Sequence, residues 1–293
     1  MKDVNKKRIK VFALVTFGLV VFFLFAGIYY VKNNLENIVN YAINRGLDYN
    51  LKIENIDINK FGMITGHNVI LDDKNGKRVL DIPEVVIKYN LKDIMDGRYI
   101  SELWAKKPIV YLTIHNVSKT NIMTALNLDK RESSSGPSPL KYLKVSDGIL
   151  YYSDISYKKP INMKLKNVQG TIDLKRLFKL NFAGDGFDDE TEKLAFGIKE
   201  IKKGKYDYSV NLKNVKLRDE LLQYAYDDND SITYKDGRGD LDLKFGESGL
   251  NGTAFIKKGV IKYKYLVDDL KNVDSSIDLT KEKLNIYATS SLD

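Results

Sequence analysis

The chain of 293 residues contains no cysteine and only two histidines, His67 and His115. The first absence excludes a disulfide framework and a thiolate metal site, though not an exported location. The two histidines lack the His-x-x-x-His or His-Glu spacing of a transition-metal site, so no metal is expected. No serine sits in a nucleophile-elbow pattern, and no glycine-rich loop opens a helix that could hold phosphate. Asp227-Asp228-Asn229-Asp230 and Asp188-Asp189-Glu190 lack the glycine and closing glutamate of a calcium loop and read as polar turns. Arg238-Gly239-Asp240 falls between a turn and a strand and reads as a chance tripeptide. No catalytic residue, cofactor or metal ligand is assigned, and the chain is not expected to be an enzyme.

A concentrated basic surface is also lacking. The net charge is +8, yet five bases against one acid fall in residues 1–10 alone, which accounts for half of it. The remaining lysines alternate with acids and form no arginine-rich stripe, so nucleic acid is not an expected partner.

Long apolar runs are confined to one place. Val11 to Val31 is 21 residues without a charge, and a helix of that length spans roughly 30 Å, the hydrocarbon core of a bilayer. Lys6, Lys7, Arg8 and Lys10 precede it, which predicts a cytoplasmic N-terminus and an exported remainder. The run is longer than the apolar region of a cleaved leader and lacks a small-x-small site after it. The expectation is therefore an uncleaved signal anchor over residues 11–31, single-pass in the inner membrane, with a cytoplasmic tail over 1–10.

Beyond the anchor, Asn33 to Arg45 reads as a short amphipathic helix ended by Gly46. From Leu51 the hydrophobic period becomes two. Val110-Leu112-Ile114 alternates with Tyr111-Thr113-His115, Ile161-Met163-Leu165 with Asn162-Lys164-Lys166, and Tyr206-Tyr208-Val210-Leu212 with Asp207-Ser209-Asn211. This is the signature of antiparallel strands with one apolar and one wet face. Asn75-Gly76, Gly204, Asp236-Gly237 and Gly259 read as hairpin turns between about fifteen strands. The few later helix signals, Leu91 to Asp96, Asn121 to Leu128 and Arg218 to Ala225, are short. Ser133 to Pro139 reads as a flexible link between a β segment over 32–132 and a second over 140–293. In the second, Leu165-Lys-Asn-Val-Gln-Gly-Thr-Ile-Asp-Leu174 and Leu270-Lys-Asn-Val-Asp-Ser-Ser-Ile-Asp-Leu279 match at seven of ten positions. Leu212-Lys-Asn-Val215 echoes both, and Gly148-Ile-Leu-Tyr-Tyr152 resembles Gly259-Val-Ile-Lys-Tyr263. A repeated β-unit is expected.

A one-sided sheet must bury its apolar face, and no helix after residue 46 is long enough to cover it. Either the sheet closes on itself as a sandwich or barrel around a structural core, or the face binds something.

The segment from Leu51 to Asn116 bears on that choice. It reads Ile56-Asp-Ile-Asn-Lys-Phe-Gly62, then Gly66-His-Asn-Val-Ile-Leu-Asp-Asp-Lys-Asn-Gly-Lys-Arg-Val-Leu80, then Ile82-Pro-Glu-Val-Val-Ile-Lys-Tyr-Asn90. A short helix and Pro108-Ile-Val-Tyr-Leu112 follow. This resembles the N-terminal region of the AsmA-like family, its TamB branch (translocation and assembly module subunit) above all. Gly252 to Ile261 and Asn272 to Leu279 are similar to that family's repeat. The resemblance implies an elongated antiparallel sheet curled into an open groove, a β-taco, in the periplasm of a double-membraned bacterium. It implies phospholipid acyl chains as cargo, phospholipid transport to the outer membrane, outer-membrane protein assembly and secretion, and an outer-membrane barrel partner. No catalytic residue is carried over. Chains of this branch are usually far longer, so the β segment is expected to continue beyond residue 293. Val110, Leu112, Ile114, Ile161, Met163 and Leu165 are the candidates for the lipid-facing wall.

Overall fold

A computed structural model describes residues 50–60, 62–73, 75–90, 100–116, 119–122, 140–157, 159–174, 177–186, 188–217, 232–280 and 283–291. Apart from a helical pair at Asn121–Ile122, every regular element among them is a strand. The strands are β1 (Asn50–Lys60), β2 (Met63–Asp72), β3 (Arg78–Lys88), β4 (Glu102–Lys106), β5 (Ile109–Asn116), β6 (Lys119–Thr120), β7 (Tyr142–Asp154) and β8 (Ile161–Asp173). They continue as β9 (Lys179–Gly186), β10 (Lys193–Lys202), β11 (Lys205–Lys216), β12 (Ile232–Gly246), β13 (Asn251–Tyr263), β14 (Leu270–Leu279) and β15 (Leu284–Ser291).

The expected fold with a membrane-spanning N-terminal helix is corrected by this architecture. Among the described residues no helix is long and apolar enough to cross a membrane. The physical reason is the period: past Asn50 apolar residues alternate with polar ones, and no run is long enough to span. The anchor expected over Val11 to Val31, with Lys6, Lys7, Arg8 and Lys10 before it, lies outside the described residues. So do the helices called over Asn33 to Arg45, Leu91 to Asp96 and Arg218 to Ala225, and the link Ser133 to Pro139. No helix among the described residues supports the signal anchor or the single-pass inner-membrane placement, and neither is retained.

All fifteen strands join one sheet, ordered β1-β2-β3-β4-β7-β8-β9-β10-β11-β12-β13-β14-β15, with β5 beside β3, β6 and β7. β4 and β5 act as one strand interrupted at Lys107-Pro108: both pair with β3 on one side and β7 on the other. The sheet is therefore thirteen strands wide, roughly 60 Å at about 4.8 Å per strand. Pairing is antiparallel except where β4 and β5 meet β7 in parallel. A parallel neighbour requires a long crossover, and residues 121–141, which include the Ser-Pro stretch, span it. The sheet runs unbroken across that point, and residues 47–293 form one compact unit.

Among the described residues, seven other than glycine have positive φ: Asn68, Lys107, Asp147, Asn167, Asn214, Lys258 and Asn272. Most stand at register shifts, in β7, β8, β11, β13 and β14. Each adds a residue to its strand, and Gly237 (φ 127°) occupies the equivalent place in β12. Bulges bend a strand and raise its twist; aligned on successive strands they form a crease across the sheet. Asn167, Asn214 and Asn272 are the asparagines of the Leu-Lys-Asn-Val repeat. That repeat marks the bulge, because asparagine tolerates the left-handed region better than other side chains. Asp236-Gly237 and Gly259, expected to be hairpin turns, are bulges inside β12 and β13. A Cβ on Gly237 would stand 2.8 Å from the Gly259 backbone. Asn75-Gly76 and Gly204 do turn hairpins, β2–β3 and β10–β11.

Candidate functional site

Cross-strand register assembles the apolar positions into rows that run across the strands. One row is Leu51, Leu71, Leu80, Val110, Leu150 and Leu165. On the other side of the crease a longer one passes through Ile58, Ile64, Ile87, Leu103, Leu143, Ile172, Leu180, Ile198, Tyr208 and Phe245. Between them lies a row from Ile56 through Gly66, Val85, Ala105, Val145, Gly170, Phe182, Phe196, Val210 and Leu243 to Gly252 and Leu279. The interleaved row on the opposite face reads Thr65, Val86, Trp104, Lys144, Thr171, Asn181, Gly197, Ser209, Lys244 and Asn251. Among the described residues one face is mainly apolar, with Asp154 between Ile114 and Ile161 and Ser275 between Ile256 and Ala288 as polar members of it. The other is polar, with the Trp104 ring flanked by the ammonium groups of Lys106 and Lys144, each 4.6 Å from its centroid.

No second sheet covers the apolar face among the described residues, and the strands that contact one another are hydrogen-bonded neighbours. Burial is graded along the rows. Leu71 and Val79 are 2% and 1% exposed and pack with Leu51, Leu80 and Ile122. Phe196 and Phe245 are 41% and 38% exposed, and Ile286 60%.

The six wall candidates all come together on this face. Val110, Leu112 and Ile114 pair with Leu150, Tyr152 and Asp154, which pair in turn with Leu165, Met163 and Ile161. Leu112, Ile161, Met163 and Leu165 also border a cavity of about 600 Å³. It lies where the β9–β10 hairpin stops short. The last β8–β9 pair is Leu165 with Gly186, and the last β10–β11 pair is Lys193 with Lys213. Ile161–Lys164 and Asn214–Lys216 therefore project past the loop 187–192 on either side of a notch. Its lining draws on both faces of the sheet, with Leu112, Met163 and Leu194 from one and Tyr111, Tyr151 and Lys164 from the other.

Polar contacts fix the floor of the notch. Arg238 donates through Nη2 to Asp189 Oδ2 at 2.5 Å and through Nη1 to the Asn214 carbonyl at 2.8 Å. Asn214 Nδ2 donates to Thr191 Oγ1, and the Lys216 amide donates to Glu192 Oε1 at 2.9 Å. Glu192 is 9% exposed and so takes up an edge amide that β10 does not reach. The Thr191 hydroxyl, the Thr191 amide and Arg238, in that order, hold the Asp189 carboxyl down at about 2. Asp188-Asp189-Glu190 is a polar turn, as its sequence predicts, while Arg238-Gly239-Asp240 lies within β12. The bridge between them joins residues 49 apart, and no local pattern carries that pairing.

Nothing in this geometry resembles a metal site. His67 Nε2 lies 3.2 Å from Asp57 Oδ2 on the polar side, His115 is exposed, and the described residues contain no metal-competent cluster. Among the described residues, fold and site define a class: a one-layer β-sheet with one mainly apolar face. Compared with protein families and with curated proteins, the chain matches none.

Proposed function

We propose that this protein is a lipid-carrying β-groove of the AsmA/TamB kind, whose apolar face takes phospholipid acyl chains. In this reading it serves phospholipid movement to the outer membrane and outer-membrane protein assembly and secretion, with an outer-membrane barrel as partner. The observation that carries it is the set of mainly apolar rows crossing the sheet. Water-exposed apolar area of this extent marks a binding surface, and each methylene laid on it gains about 0.8 kcal/mol. The rows run perpendicular to the strands, so one chain can pass from strand to strand along a uniform track. The rival, a closed structural sandwich, requires a second sheet, and among the described residues every strand belongs to the first.

The test is photo-crosslinking of the full-length chain with phospholipid vesicles. Probes at Phe196 and Phe245, in the apolar row, are expected to capture acyl chains. Probes at Ser209 and Lys244, in the interleaved polar row, are expected to capture none. Equal capture from both rows, or none from either, would overturn the proposal.

A further inference from the structure

We infer that the notch above the β9–β10 loop is a headgroup seat, where a phospholipid lying on the apolar face directs its phosphodiester off the sheet. The inference rests on the lipid reading and adds a place and a ligand chemistry to it. Three features lead there. First, the sheet is interrupted at this point: β8 and β11 project beyond the loop, three strand steps apart, a gap of roughly 14 Å. Second, the cavity of about 600 Å³ joins the two faces, so an amphiphile there can keep its chains on apolar side chains and its head in water. Its size falls within the usual range of ligand sites. Along the three named rows the described side chains are almost all apolar, Tyr208 being the exception, and no cation stands in them.

Third, the charge on the rim is complementary to a phosphodiester. The cavity is bordered by four cations, Lys77, Lys164, Lys216 and Arg238, against three acids, Asp188, Asp189 and Glu192. Arg238 and Asp189 satisfy each other, and Glu192 accepts the Lys216 amide. Lys77 and Lys216 form no ion pair among the described side chains, and both are exposed residues on the border of the cavity. Flexible lysines on the border of one cavity can both reach a phosphate in it as point charges.

The experiment compares the wild-type full chain with the double variant K77E/K216E. Capture of phosphatidylglycerol and of diacylglycerol from neutral vesicles is measured, with the Phe245 crosslinking probe as a control for the groove. The expected result is a loss of about tenfold or more in phosphatidylglycerol capture, unchanged diacylglycerol capture, and an unchanged unfolding midpoint. Parallel loss of both lipids, or loss of neither, would overturn the headgroup seat while a working Phe245 probe leaves the groove reading standing. A probe at Met163 should capture the glycerol end of the lipid. A product joining Met163 to residues 218–231 of the same chain would show the notch occupied by the protein itself and would also overturn the inference. If the Phe245 probe captures no lipid, both proposals fall together.

Discussion

Asn214 shows how much one backbone conformation contributes here. Its φ is 55°, its amide donates to Asp240 Oδ1 at 2.6 Å, and its side chain holds Thr191 at 2.6 Å. Asn167 and Asn272 repeat the conformation, with side chains on Asp185 and Ser291. The left-handed region costs an ordinary residue about 1–2 kcal/mol, more when it is β-branched. Asn214→Val is therefore expected to destabilise by about 2 kcal/mol, the strain adding to the lost hydrogen bond. Asn214→Gly relieves the strain and should cost less than half as much. Denaturant unfolding of the two variants checks this, and a valine variant as stable as the glycine one would contradict it. The Leu-Lys-Asn-Val repeat was legible in the sequence, but its meaning was not: asparagine and glycine serve tight turns and bulges alike, and only cross-strand register tells them apart. Gly237 and Gly259 were misread for the same reason. That the six wall candidates share one face was legible because a half-buried strand writes its apolar face at every second position. Lys77, Lys216 and Arg238 were not, since three separate hairpins bring them to one opening.

Among the elements, the short β9–β10 hairpin is the one whose ending matters. Its loop is tied to β11 and β12 through Asp189, Thr191 and Glu192 rather than through strand pairing. The carboxyl of Asp189 titrates at about 2, below its ordinary 3.8, because Thr191 and then Arg238 bind its charged form. A depressed acid of this kind supports the fold above its unfolded value and loses that support as pH falls through the folded one. The window for Asp189 therefore runs from about pH 4 down to about pH 2. Asp189→Asn should raise amide exchange in the loop and at Asn214–Lys216 at neutral pH, with little effect on global unfolding because the pair is partly exposed. Wild type and variant should converge as pH approaches 2. A difference that persists unchanged through that window would assign the loop's order to something other than this carboxylate.

For the molecule as a whole, the single layer of the described residues means that none of these strands is supported from above by a second sheet. Stability is then set strand by strand, by hydrogen-bonded neighbours and by what lies on the apolar face, much as in repeat proteins. Support of the second kind is uneven. β1 to β4 hold Ile53, Val69, Leu71, Val79, Ile82, Val85 and Ala105 below a tenth exposure, whereas β15 presents Ile286 at 60% and Tyr287 at 64%. Among the described strands β15 has a neighbour on one side only, β14, which leaves it an edge strand. Local opening should therefore cost most at β2 and β3 and least at β15. In hydrogen exchange of the full chain, amides of Leu284–Ser291 are expected to exchange on the order of a hundredfold faster than those of Met63–Asp72 and Arg78–Lys88. An unpaired edge also recruits other strands, so any protection of β15 should rise with protein concentration. Protection at β15 that equals β2 and β3 and does not change on dilution would mean the sheet behaves as one cooperative block. In that event an apolar face opened strand by strand to its ligand would be the wrong picture of this molecule.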